Sequence, residues 1–60
     1  MSSKVEITAH VLRQTAMAYH IDDGTKQVWL PKSEVTATRL NNTLHEIEMP
    51  EWLAKDKGLI

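Results

Sequence analysis

The sequence has no cysteine among its 60 residues, and this absence limits how so short a chain can be stabilised. Disulfide bonds and thiolate metal sites are both excluded. A chain of this length buries only about 60% of the surface that its unfolded form exposes, so its core is marginal without help. Close packing or oligomerisation is therefore expected to supply the stability, and the sequence is as compatible with a homodimer as with a monomer.

Long apolar runs and an excess of positive charge are also missing. No stretch approaches membrane-spanning length, and the opening Met-Ser-Ser-Lys lacks the apolar core of a signal peptide, which predicts a cytoplasmic protein without membrane contact. The formal net charge is −1, so the sequence lacks the basic field that grips nucleic acid. Hydrophobic residues make up 42% of the chain, as in folded globular proteins. We predict one domain over residues 1–60.

Proline is scarce, and one of the two prolines lies in the stretch Val28-Trp29-Leu30-Pro31-Lys32-Ser33-Glu34-Val35. Pro31 lacks an N–H and fixes φ, so it ends a strand. The Pro-Lys-Ser-Glu run favours one turn of tight helix, and Val35 then restarts the apolar alternation. This corner resembles that of small barrels of the Src-homology type. The resemblance implies the geometry alone, because Glu34 stands where that family usually has an aromatic residue of its peptide groove.

Alternating apolar residues predict two strands before the one that ends at Pro31, and two more after the corner. Residues 4–12 and 15–21 show the period-two pattern of half-buried strands. A connection over residues 12–14 would place Glu6 opposite His20, as a surface pair that contributes little to stability.

Asp22-Asp23-Gly24-Thr25 is the strongest turn signal, because Asp-Gly between alternating runs favours a two-residue hairpin. That hairpin would pair Tyr19 with Val28 and Met17 with Leu30, all four facing one core.

A loop at residues 41–43 would pair Ala37 with Ile47 in the last two strands. Residues 50–57 then predict a short C-terminal helix, with Pro50 at its first position and Gly58 as its left-handed cap. A helix this short does not persist alone in water, so it must dock, and Trp52, Leu53 and Leu59 are the groups predicted to dock it. The predicted fold is mainly β: a five-stranded antiparallel barrel or strongly bent sheet, Src-homology-like, with a C-terminal helix.

The chain as a whole resembles small uncharacterised proteins of bacteriophages and prophages. The resemblance lies in a Trp-Leu-Pro-Lys-Ser core, here residues 29–33, and in a Met-Pro-Glu-Trp-Leu-Ala-Lys-x-Lys-Gly-Leu-Ile end, here residues 49–60. It implies a phage-type context, and hence the host cytoplasm, and it brings no activity with it.

Residues that carry chemistry are few. The histidines His10, His20 and His45 are of the type that binds transition metals, but their predicted positions scatter them over the surface. Glu46 and Glu48 share a strand face, as the two catalytic carboxylates of a glycosidase do. A solvated acidic strand face is the simpler interpretation of this pair. No nucleophile motif, phosphate loop or metal helix motif is present. We predict neither an enzyme nor a cofactor or metal site.

Trp29 is the residue with two contrasting interpretations. In one, its ring belongs to a second small core that the C-terminal helix covers, with Trp52 close by. In the other, it is an exposed aromatic platform of the kind found at interface hot spots and under stacked bases. The predicted binding residues are Trp29, Lys26, Lys32, Arg39 and Trp52.

Two functions from different classes follow from that platform. The first is a binding module that recognises a protein partner, or a second copy of itself, through the face around Trp29 and the C-terminal helix. The alternative is a barrel that binds single-stranded nucleic acid, in which Tyr19 or Trp29 stacks bases while Lys26, Lys32 and Arg39 contact phosphates. Acidic residues interspersed among those bases weaken the field that would steer a polyanion.

Overall fold

The computed structural model describes residues 3–60, so Met1 and Ser2, with which the predicted domain begins, lie outside the described residues. The elements in chain order are β1 (Lys4–Gln14), β2 (Ala18–Asp22), β3 (Gln27–Pro31), β4 (Thr36–Asn41), β5 (Leu44–Pro50) and α1 (Glu51–Asp56). The strands form one antiparallel sheet in the order β3-β2-β1-β5-β4. This confirms the predicted five-stranded antiparallel sheet with a short C-terminal helix.

The sheet is open and strongly bent, because β1 has different neighbours along its length. Residues 4–10 of β1 pair with β5, whereas residues 10–14 pair with β2. A register shift between Val11 and Arg13 interrupts the β1–β2 ladder, and such bulges bend a strand. β3 and β4 are the edges of the sheet. The bent sheet is therefore the form observed, and the strands do not close into a barrel.

The corner between β3 and β4 requires this bend. Pro31 and Thr36 are five residues apart, so their Cα atoms are separated by at most about 18 Å, and the turn over residues 31–34 brings them closer than that. Five strands laid flat would place the two edges about 19 Å apart, even without any stagger between them. The β1–β2–β3 part of the sheet must therefore fold over the β1–β5–β4 part. The corner itself is a tight turn, as predicted, in which the Glu34 N–H donates to the Pro31 carbonyl at 3.1 Å.

The sheet has two parts, which differ in the side chains on their outer surfaces. The aromatic half comprises residues 10–14 of β1 with β2 and β3, and the acidic half comprises residues 4–10 of β1 with β5 and β4. Their inner-facing side chains share one core cluster, and α1 contacts β5 and β1. Both halves supply the core, whose buried side chains are Ala9, Val11, Ile21, Leu30, Ile47, Met49, Leu53 and Ala54.

The predicted pairing of β1 with β2 is wrong. Val11 lies opposite Ile21, and residues 15–17 form the connection where residues 12–14 were expected. Glu6 lies opposite Glu48 on β5, so its predicted pairing with His20 does not exist. The alternation of apolar residues shows which side of a strand is buried, but it does not show which strand lies beside it. β1 has two neighbours, β2 and β5.

The β2–β3 hairpin is shifted by two residues from the prediction. Tyr19 pairs with Leu30, and the loop has four residues, 23–26, where two were expected. The cause is the Asp23 side chain, whose Oδ1 accepts hydrogen bonds of 2.9 Å from the N–H groups of Thr25 and Lys26. Those backbone donors hold the pKa of Asp23 below its ordinary value. A shift of two residues leaves each side chain on its expected face.

The shift in the β2–β3 register also moves Met17 out of the predicted strand. It was predicted to pair with Leu30 in the core, but it lies in the β1–β2 connection and 74% of its surface is exposed. By contrast, the predicted pairing of Ala37 with Ile47 is confirmed.

The C-terminal helix begins at Glu51, with Pro50 one position before it in an extended conformation. Gly58 has φ +71°, which confirms the left-handed cap. Leu53 and Ala54 are the buried side chains of α1, and Leu59 packs against the core beside them. Trp52, which was predicted to dock, instead keeps 56% of its surface exposed.

Candidate binding surface

Trp29 lies at the centre of β3, on the outer face of the aromatic half. It is opposite His20 of β2, and the two rings are stacked with centroids 4.7 Å apart and planes inclined by 14°. Trp29 nevertheless remains 42% exposed. Because α1 packs on β5 and β1, the helix does not cover this ring, and the imidazole of His20 takes the place predicted for it.

The stack leaves one polar atom without a partner. His20 Nδ1 is covered from solvent and makes no hydrogen bond. An unsatisfied buried polar atom costs about 1–3 kcal/mol. Arg13 of β1 lies opposite His20 on the other side, so the imidazole sits between a guanidinium-bearing strand and the indole. The stack therefore supports one face of the Trp29 ring at a local cost in stability.

The lysines predicted to flank Trp29 lie elsewhere. Lys32 Nζ is 4.9 Å from the centroid of the Tyr19 ring and donates to Gln14 Oε1 at 2.8 Å. Since Tyr19 pairs with the buried Leu30, Lys32 is on the core side of β2. Tyr19 itself is partly buried against the core, which leaves it unsuited to stacking bases.

Lys26, Arg39 and Trp52 are also separated from Trp29. The Lys26 ammonium lies beside Gly58, 2.6 Å from the position that a Cβ there would occupy. Arg39 lies opposite His45, in the acidic half. Trp52 is on α1, which packs on β5 and β1. Of the five predicted binding residues, the structure therefore places Trp29 alone on the outer face of the aromatic half.

The outer face of the acidic half is dominated by carboxylates and threonines. Glu6 and Glu48 are directly opposite each other, and Lys4 Nζ lies 3.5 Å from the Glu48 carboxylate. Glu46 pairs with threonines on both sides. This surface is solvated and carries excess negative charge.

The two other histidines have hydrogen-bonding partners. His10 Nδ1 is 2.9 Å from the Thr43 hydroxyl, and His45 Nδ1 is 2.7 Å from the Thr43 carbonyl oxygen. Among residues 3–60, no three histidine or acidic side chains converge in a way that would hold a metal ion, and no pocket is formed. What this part of the chain offers a ligand is its open surface.

Sequence reasoning missed His20 and Arg13 as components of the site. The predicted hairpin set Ala18 beside Trp29, and the shift of two residues puts His20 there. The signal that was present is the Asp22-Asp23 pair, because a second aspartate before the glycine supplies the side-chain acceptor that lengthens the loop.

Comparisons of the chain with protein-family models, with curated proteins and with solved structures gave no match. The resemblances to phage proteins and to the Src-homology corner therefore stay predictions. Within residues 3–60, no helix is both long and apolar enough to cross a bilayer.

Proposed function

We propose that this chain is a small protein-interaction module that binds through the outer face of the aromatic half, with Trp29 as the anchor. The observation that carries the proposal is the Trp29 ring, which is fixed by a stack on His20 and still 42% exposed. Tryptophan is among the residues most enriched at interface hot spots. A side chain already held in place loses less conformational entropy on binding than a mobile one.

The shape of the site supports a macromolecular partner. Trp29 projects from an edge strand, where a partner can approach both its ring and the backbone beside it. The neighbouring outer-face side chains are polar or small, and the pairs of β2 and β3 there are Ala18 with Pro31 and Asp22 with Gln27. An aromatic anchor surrounded by polar groups is the usual anatomy of a non-obligate interface.

A random-peptide library panned on the immobilised protein tests the proposal. We expect enriched peptides that lose affinity by roughly thirtyfold, about 2 kcal/mol, on Trp29→Ala. Trp52→Ala is the matched control, because it removes a similarly exposed indole from α1 and should leave affinity unchanged. Far-UV circular dichroism establishes that both variants are folded. Peptides that bind a folded Trp29→Ala variant undiminished would contradict the proposal, as would the absence of any enriched peptide from a chain immobilised as a monomer.

A second candidate is single-stranded nucleic acid, and the observation that favours it is the stacked His20–Trp29 platform with Arg13 alongside. Bases stack on such platforms with little sequence preference. Against it, Lys26, Lys32 and Arg39 do not surround the platform. A labelled oligonucleotide titrated at roughly 50 and 200 mM salt separates the candidates. Binding that falls steeply with salt and quenches tryptophan emission would favour nucleic acid.

A further inference from the structure

The outer edge of β3 carries unpaired backbone groups at defined positions. The Lys32 N–H donates to the Met17 carbonyl at 2.8 Å, and the Asp23 N–H donates to the Lys26 carbonyl at 3.1 Å. Bonded pairs alternate along an antiparallel ladder, so the backbone groups of Val28 and Leu30 also face β2. Those of Gln27 and Trp29 therefore point away from the sheet, where they are available to another strand.

Pro31 is the next residue whose backbone faces outward, and it has no N–H to offer. Its position explains how a proline is accommodated in β3, because the missing donor belongs to the edge and not to the ladder. The edge therefore offers a complete set of donors and acceptors at two residues only.

The opposite edge of the sheet, β4, is less suited to pairing. The Val11 N–H donates to the Thr43 carbonyl and the Glu51 N–H to the Ser3 carbonyl, both at 2.8 Å, so the odd-numbered residues of β5 bond to β1. Its even-numbered residues then bond to β4, which leaves Ala37 and Arg39 with outward backbone groups. A register shift between Arg39 and Asn41 distorts this edge, and bulges and charged side chains are devices that keep edges from pairing.

We propose that the partner at the β3 edge is a second copy of this chain, whose own β3 pairs antiparallel with the first in a register centred on Val28. This inference rests on the proposed function, since it names the occupant of the surface around Trp29. The register places Gln27 of each copy opposite Trp29 of the other. The outward N–H and C=O groups of Gln27 and Trp29 in both copies are then all hydrogen-bonded. This register requires no N–H from Pro31.

The neighbouring register, centred on Trp29, is worse. It would place Pro31 opposite Gln27 of the second copy and leave the Gln27 carbonyl without a donor. A carbonyl enclosed in the paired ladder without a donor also loses the hydrogen bond that water gives it in the free chain. The proline thus disfavours the Trp29-centred register relative to the Val28-centred one.

Charge also favours self-pairing of this strand. Asp22 and Asp23 precede its beginning, and Lys32 follows its end. The antiparallel register sets Lys32 of one copy opposite Gly24 of the other, where its ammonium would exchange its hydrogen bond to Gln14 for the aspartates of the turn. The Lys26 ammonium is turned toward Gly58 and does not compete at the edge. A net charge of −1 per copy adds little repulsion.

Proline substitutions at the two edges test which edge pairs. Sedimentation equilibrium should show a concentration-dependent dimer of the unaltered chain, and Gln27→Pro should weaken it by at least tenfold because it removes an outward N–H without touching the β2 ladder. Ala37→Pro makes the same change at the β4 edge and should leave the dimer intact. A chain that is monomeric up to millimolar concentration would overturn the inference, and so would a dimer lost on Ala37→Pro alone.

Single cysteines test the register, since the chain has none of its own. Val28 would face Val28 of the second copy in a non-hydrogen-bonded pair, where Cβ atoms are close enough for a disulfide. Val28→Cys should therefore form a covalent dimer under mild oxidation. Gln27→Cys should do so at least tenfold more slowly, because its two copies would lie more than about 7 Å apart. Faster linkage through residue 27 would overturn the Val28-centred register.

The failure of this inference is distinguishable from failure of the proposed function. Library peptides that require Trp29 and bind a strictly monomeric chain would overturn self-pairing while supporting the interaction module. If those peptides also lost binding on Gln27→Pro, the occupant of the β3 edge would be a foreign strand.

Discussion

The outer face of the aromatic half carries a stacked imidazole and indole, whereas the outer face of the acidic half carries Glu6, Glu46 and Glu48 among threonines. Both faces contain polar groups in an unfavourable arrangement. In the acidic half these are the facing carboxylates of Glu6 and Glu48, which solvent screens. In the aromatic half it is a nitrogen that the stack shields from water. The aromatic half thus shields a polar atom at its surface, whereas the acidic half leaves its charged groups in solvent.

The largest effect is expected where the halves meet. Leu30 belongs to the aromatic half and Ile47 to the acidic half, and neither exposes any surface. Alanine at either position should lower the free energy of unfolding by about 2–5 kcal/mol. A core of this size supplies roughly 3–5 kcal/mol in total, so each variant should be largely unfolded.

Urea denaturation followed by tryptophan fluorescence and by far-UV circular dichroism checks that prediction. Leu30→Met is the control, because a swap that conserves volume costs less than about 1.5 kcal/mol. Two separate transitions in the unaltered chain would show that the halves unfold independently and would break the comparison.

A smaller effect is expected within the stack. His20→Phe keeps a ring beneath Trp29 and removes the unbonded Nδ1, so the free energy of unfolding should rise by about 1 kcal/mol. His45→Phe is the matched control. Its Nδ1 is bonded to the Thr43 carbonyl, so the same change should be destabilising there. Equal losses of stability in both variants would contradict the role assigned to the unbonded nitrogen.

On the acidic half, Glu6→Gln should raise the free energy of unfolding by about 0.2–0.5 kcal/mol, because it removes a like-charge pair. The gain should shrink as salt screens the repulsion. Glu46→Gln serves as the comparison, since Glu46 faces threonines and should gain less. Thermal unfolding at low and high salt measures the difference, and an equal gain at residue 46 would count against the pairwise explanation.

The β2–β3 turn should respond to acid. Because the pKa of Asp23 is lowered in the folded state, its contribution is present above the ordinary value of 3.8 and is lost as pH falls through the folded-state pKa. The free energy of unfolding should therefore decrease with falling pH below about 4. Asp23→Asn should show a shallower decrease over that range. Identical slopes in the two proteins would mean that the turn carboxylate does not contribute.

Local chemistry was enough to predict the elements of this fold. Pro31, the Asn-Asn-Thr loop and the Pro50 to Gly58 segment each end or begin an element close to the predicted residue, because backbone restrictions act within a few positions. The pairing of Ala37 with Ile47 could be predicted for the same reason, since a short loop fixes the register of its hairpin.

The site was harder to predict because it depends on register. Trp29 was placed on the correct face, yet its neighbour His20 follows from a loop that a single aspartate side chain lengthens by two residues. The positions of Lys26 and Lys32 depend on contacts with Gly58 and Tyr19, which are distant in sequence. Their closeness to Trp29 in sequence suggested that these cations would surround it, but those distant contacts hold them elsewhere.

The division of β1 between two neighbours also governs how the chain reaches this structure. Residues 4–10 of β1 pair with residues 44–50 of β5, which lie some forty positions later in the chain, so the β1–β5 ladder forms only when both segments are present. Pairing at such sequence separation is slow, because loop closure precedes any stabilising contact. During synthesis on a ribosome, β1–β2–β3 can assemble as a meander, while one side of β1 keeps its donors and acceptors open until β5 has emerged.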